Sequence, residues 1–113
     1  MRFSTSLKLN HVFRRLYHTA GFADSYLVLY ARRNREGLNR VGITVSKKLG
    51  HAVVRNRVRR RLREIHRLNE RRFQTGWDIV VVARSRAVTA EYAELERAYL
   101  SLAAKLGLLE AQK

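Results

Sequence analysis

Residues 40–63 read RVGITVSKKLGHAVVRNRVRRRLR, and the fold turns on how this stretch is parsed. Arg40 to Ser46 alternates as a strand, with Val41, Ile43 and Val45 on one face. Lys47 to Gly50 is a tight basic loop, and residues 52–70 then read as one long helix. Placed at 100° per residue, Val54, Val58, Leu62, Ile65 and Asn69 form one stripe. Asn56, Arg59, Arg60, Arg63 and Arg67 fall on the opposite side. Arg55, Arg57 and Arg61 flank the stripe, where long stems can lie over apolar neighbours.

Charge follows the same partition. The 113 residues carry a formal charge of +15. Between Lys47 and Arg72 there are 11 Lys/Arg against only Glu64 and Glu70, whereas residues 73–113 are balanced, with five of each sign. Like charges so close on a helix repel at i, i+4, and acidic partners are scarce. A solvated charged face would not need such an excess; a polyanion explains it. Nucleic acid is the leading partner, with an anionic membrane surface second.

Working outward, residues 9–20 (LNHVFRRLYHTA) suit a short helix capped by Asn10 and stopped at Gly21. Residues 25–33 (SYLVLYARR) read as a strand, and NREGLN at 34–39 as a turn that makes a hairpin with 40–46. Trp77 to Ala83, WDIVVVA, is continuously apolar after Asp78, which places it at the centre of a sheet. Thr89 is positioned to cap a last helix with a seam of Leu95, Tyr99, Leu102, Leu106 and Leu109. The order is α-β-β-α-β-α. The expected class is α+β, a two-layer sandwich forming one domain over 1–113.

Cysteine is absent, which excludes disulfides and thiolate metal sites. No apolar run approaches ~18 residues, and the first residues lack a signal-peptide core, so a cytoplasmic protein without membrane attachment is expected. Asp24, Glu36 and Asp78 are scattered rather than paired, and His11, His18, His51 and His66 lack metal-ligand spacing. No catalytic residue is therefore assigned. A DNA-binding helix-turn-helix would need a partner helix at a short turn, and here strands flank the basic helix. Interleaved aromatics and a sheet favour RNA. Phe13 and Tyr17, at i, i+4, suit either a core stripe or a stacking surface.

VGITVSKKLG followed by HAVVRNRVRRRLRE resembles the signature of the bacterial ribonuclease P protein subunit. Phe13 and Tyr17, LVLY at 27–30, the WDIVVVAR strand and the C-terminal helix also fall where that family has them. The resemblance implies a ribosomal-protein-like fold with a left-handed βαβ crossover around the arginine-rich helix, an exception to the usual hand. It implies a protein cofactor within the ribonuclease P holoenzyme, an endoribonuclease that removes the 5′ leader from precursor tRNA. The chemistry would be carried by a catalytic RNA with Mg2+ bound mainly by that RNA. It further assigns Lys47, Lys48, Arg55, Asn56, Arg57, Arg59, Arg60, Arg63 and Arg67 to the RNA subunit, and Phe13, Tyr17 and Tyr30 to the single-stranded leader. Asn56 would assist a magnesium ion indirectly. The partners implied are the RNA subunit and precursor tRNA, with no obligate protein partner. Trp77 and Tyr99 are read as core.

Three positions depart from the family pattern. The lead-in before the first helix has only Arg2 and Lys8, Arg61 replaces a usual apolar residue, and Tyr17 replaces a common phenylalanine. A structural RNA-binding protein, ribosomal or chaperone-like, would share every charge feature; only the motif and dependence on a leader separate the two.

Overall fold

A computed structural model describes residues 4–6, 21–35 and 37–110. The expected helix at 9–20, and with it Phe13 and Tyr17, lies outside the described residues. The strands are β1 (Ser4–Ser6), β2 (Gly21–Ala23), β3 (Leu27–Arg33), β4 (Asn39–Thr44) and β5 (Trp77–Ala83). The helices are α1 (Ala52–Asn69), a single turn α2 (Arg86–Thr89) and α3 (Tyr92–Lys105). Short 3-10 turns at Lys47–Leu49 and Glu70–Arg72 bracket α1.

The five strands run in the order β1-β4-β5-β3-β2. β5 is central, as its apolar run requires: Ile79, Val80 and Val81 are buried on both faces of the sheet. It pairs parallel with β4 and antiparallel with β3. The hairpin expected between β3 and β4 does not form, because β5 inserts between them. A strand buried on both faces gains from a neighbour on each edge, and that outweighs the local turn signal at 34–39. α1 thus links two adjacent parallel strands.

One face of the sheet carries the main core. Leu27, Leu29, Val41, Ile79, Val81 and Ala83 pack with Val58, Leu62 and Ile65 of α1 and Leu95, Ala98, Tyr99 and Leu102 of α3. The stripe read from periodicity is therefore the buried side of α1, with Val54 and Asn69 at its half-buried ends. The α3 seam holds through Leu102; Leu106 is the C-cap, and Leu109 lies beyond it in a bridge to Phe73. Thr89 is not the cap of this helix. It ends α2, and Glu91 caps α3 through a reciprocal box with Glu94.

Asn39, at the start of β4, is almost completely buried. Its Nδ2 donates to the Gln74 carbonyl at 2.9 Å, and its Oδ1 accepts from the Trp77 amide at 2.9 Å. One amide thereby registers the entry of β5 against β4.

Candidate nucleic-acid interface

The approach to α1 is built from backbone geometry. Ser46 is extended and its Oγ accepts from the Lys48 amide at 3.2 Å, which starts the Lys47–Leu49 turn. Gly50 follows at φ 147°, where a Cβ would stand 3.0 Å from Val54 Cγ1. Both the dihedral and the contact require glycine here. Lys47 and Lys48 are left exposed on the turn. His51 is the N-cap of α1 but contributes no side-chain cap, and the first turn holds no acid. The positive end of the helix dipole therefore adds to the lysines instead of being offset.

Along α1, Asn56, Arg57, Arg60, Arg63 and Arg67 are exposed, while Arg55 and Arg59 are half-buried. Arg59 Nη1 donates to Asn56 Oδ1 at 2.9 Å, so those two side chains hold each other. Among the described residues, none of these arginines has a carboxylate partner. Val53, Asn56, Arg57, Arg59, Arg60 and Arg63 line an open groove of about 540 Å³. Val53 is 80% exposed at its edge, an apolar contact among guanidinium forks. Such a surface offers donors for phosphate oxygens and one patch for a sugar or base.

Arg61 behaves differently. It is half-buried, and its Nη1 donates to the Ala90 carbonyl at 3.0 Å, tying α1 to the junction between α2 and α3. This arginine thus serves packing between helices.

The opposite face of the sheet holds Tyr30. Strand register places it in a row with Gly21, Val80 and Gly42. A Cβ on Gly21 would fall 2.7 Å from Tyr30 Cδ1, so the tyrosine ring lies against bare backbone. The neighbouring row ends in an ion pair. Arg40 Nε donates to Asp78 Oδ1 and Nη2 to Oδ2, both at 2.7 Å, and Asn34 Nδ2 donates to Oδ1 at 2.9 Å.

Comparison with known proteins fits this arrangement. The family model described as Ribonuclease P matches residues 1–107. The chain belongs to the ribonuclease P protein family. Ribonuclease P protein components of Natranaerobius thermophilus and Lachnoclostridium phytofermentans are 41% and 44% identical. The first alignment covers 93% of this chain and 92% of the relative, the second 88% and 87%. Among solved structures, a mutant Staphylococcus aureus RNase P protein with defective mRNA degradation activity superposes with a TM-score of 0.85 at 30% identity, covering 92% of this chain and 89% of the other. The Thermotoga maritima RNase P protein gives 0.81 at 28%, covering 94% and 98%.

Within this family frame, the positions expected to face RNA divide in two. Lys47, Lys48, Arg55, Asn56, Arg57, Arg59, Arg60, Arg63 and Arg67 share the loop and helix of one element. Tyr30 stands on the sheet face turned away from the α1 and α3 layer. Asn56 does not suit a resident magnesium: its carbonyl oxygen is engaged by Arg59 and its surroundings are guanidinium groups, which repel a divalent cation. No group of three or more metal-ligating side chains occurs among the described residues. No helix among them is long and apolar enough to cross a membrane.

Sequence reading gave His66 no role. It lies four residues after Leu62, on the same stripe, and is 1% exposed. Its Nδ1 and the Tyr99 hydroxyl share a hydrogen bond at 2.7 Å, and Phe73 meets its ring edge-on. Burial pulls its pKa down to about 4, against the smaller opposing pull of Glu70. The i+4 spacing from Leu62 was the available signal. Tyr99, read as core, is fully enclosed, and burial pushes its hydroxyl pKa far up. Trp77 is only half-buried, with the Arg33 guanidinium 5.2 Å over its ring.

Proposed function

We propose that this chain is the protein component of a ribonuclease P ribonucleoprotein, assisting removal of the 5′ leader from precursor tRNA. The observation that carries the reading is the largely exposed arginine face of α1, which forms no ion pair within the described residues. In this reading Lys47, Lys48, Arg55, Arg57, Arg59, Arg60, Arg63 and Arg67 lie on phosphates of the catalytic RNA. Guanidinium forks there lower the repulsion between RNA segments, and with it the magnesium needed to hold them together. Phosphodiester hydrolysis belongs to the RNA subunit and its metal ions. Phe13, Tyr17 and Tyr30 receive the leader; stacking on aromatic faces demands no particular base, which suits leaders of differing sequence.

Reconstitution tests this directly. Added to a bacterial ribonuclease P RNA at low magnesium, the protein should stimulate leader removal; no stimulation over the RNA alone refutes the proposal. The double change Phe13→Ala and Tyr17→Ala should weaken binding of precursor and spare mature tRNA. Equal loss for both ligands would remove the leader assignment.

A further inference from the structure

Arg32 lies on the same sheet face as Tyr30, two residues further along β3 and so about 7 Å away. Its cross-strand partner in register is Asp78, which on its other side is in register with Arg40. A row Arg32–Asp78–Arg40 therefore crosses three strands, with one carboxylate between two guanidinium groups. That carboxylate is already committed. Both oxygens are held by Arg40 at 2.7 Å, and Asn34 adds a bond of 2.9 Å to Oδ1. Asn34 also donates to the Leu38 carbonyl at 3.1 Å, which fixes the amide in that position.

Arg32 is half-buried and, among the described residues, its side chain makes neither an ion pair nor a hydrogen bond, although an acid stands directly across from it. The row keeps a net positive charge at one end of the face. The next row, Gly21–Tyr30–Val80–Gly42, is an aromatic ring and a valine flanked by two residues without side chains. The row after it, Ala23–Val28–Val82–Thr44, carries no charge. The face thus runs from neutral, through a stacking ring, to cationic.

We propose that Arg32 contacts a backbone phosphate of the single strand whose base stacks on Tyr30. This extends the grip on the leader toward the 34–38 loop and rests on the reading that this face receives the leader. The bidentate Arg40–Asp78 pair is what makes it possible, since it keeps the carboxylate from capturing Arg32. A guanidinium fork one row beyond an aromatic platform reads the polymer rather than the base.

The test uses the holoenzyme reconstituted with a bacterial ribonuclease P RNA. Affinity is measured for precursor tRNA and mature tRNA across a series of KCl concentrations. Arg32→Gln should weaken precursor binding by about tenfold, the scale of one charge-assisted hydrogen bond, and leave mature tRNA unchanged. The slope of log K against log salt for precursor should become shallower by about 0.7, as for one single-strand phosphate contact. Arg32→Lys should recover that slope. Unchanged precursor affinity in Arg32→Gln, while Tyr30→Ala selectively weakens precursor, overturns the role of Arg32 and leaves the leader face standing. Loss in Arg32→Gln that is equal for both ligands, or that Arg32→Lys fails to recover, also overturns it. A Tyr30→Ala variant that treats precursor and mature tRNA alike removes the leader face itself, and the role of Arg32 with it.

Discussion

β4 and α1 follow one another along the chain and both carry arginine, yet the protein places the two sets in opposite circumstances. Arg40 lies in the sheet, with both arms on a buried carboxylate. The arginines of the outer face of α1 are mostly exposed and, among the described residues, form no ion pair. The difference lies in what the fold supplies at each position. Arg40 is met by a carboxylate that is itself held by the Asn34 amide, because a buried carboxylate left unpaired would be untenable. On the outer face of α1 no carboxylate among the described residues pairs with the guanidinium groups, and the charge stays available to a partner.

That contrast can be broken from the inside first. Asp78→Ala strips Arg40 of its partner and should cost about 3–5 kcal/mol, the scale of breaking a buried pair. Urea unfolding measures it, and a loss below ~1 kcal/mol would mean that Arg40 escapes to water as easily as Arg60 does. His66 gives the next case, a side chain that the interior keeps neutral. Its folded pKa of about 4 lies below the ordinary 6.5. Above pH 6.5 neither state is charged and the contribution to stability is complete. As pH falls toward 4 the unfolded chain takes up a proton that the folded chain refuses, so stability declines, by at most about 3 kcal/mol. His66→Phe should begin less stable, with the Tyr99 hydroxyl unpartnered, but show a flatter fall in the urea midpoint between about pH 7 and about pH 4.5.

Arg61 is the intermediate case, half inside and bonded to one carbonyl. Arg61→Ala should cost about 1 kcal/mol in thermal unfolding. At the outer extreme, Arg60→Ala with Arg63→Ala should change the stability of the free protein by no more than about 0.5 kcal/mol. The same pair should weaken assembly with the RNA and flatten its salt dependence by about 0.9 for each phosphate that is no longer neutralised. A large loss of stability from that pair would erase the distinction between the two sets.

Much of this architecture was legible because it is periodic. The stripe through Val58, Leu62 and Ile65 located α1 to within a residue, and the run from Ile79 to Val81 marked β5 as central. The outer face of the helix was legible from arginine density alone. Pairings that depend on distant residues were not. The turn at 34–39 says nothing about a strand forty residues later coming between its arms. β2 is three exposed residues, Gly21 to Ala23, with no alternation to read. Glu91 is a poor N-cap by type and acts as one only through its exchange with Glu94. The fates of Asp78, Arg40 and Arg61 also turn on contacts between residues distant in sequence, which no local pattern records.

The insertion of β5 between β3 and β4 has a consequence for the order of events during synthesis. The whole excess of positive charge lies in residues 1–72, ahead of the strand that joins the two halves of the sheet. As the chain leaves the ribosome, its polycationic portion is complete before the central ladder can close. The β1–β4 and β2–β3 pairs have no strand to join them until Trp77 to Ala83 arrive, and like charges oppose their approach meanwhile. Long-range pairing of this kind is slow compared with helix formation. For that interval the nascent chain is a polycation without its central strand, surrounded by the RNA of the machine that produces it.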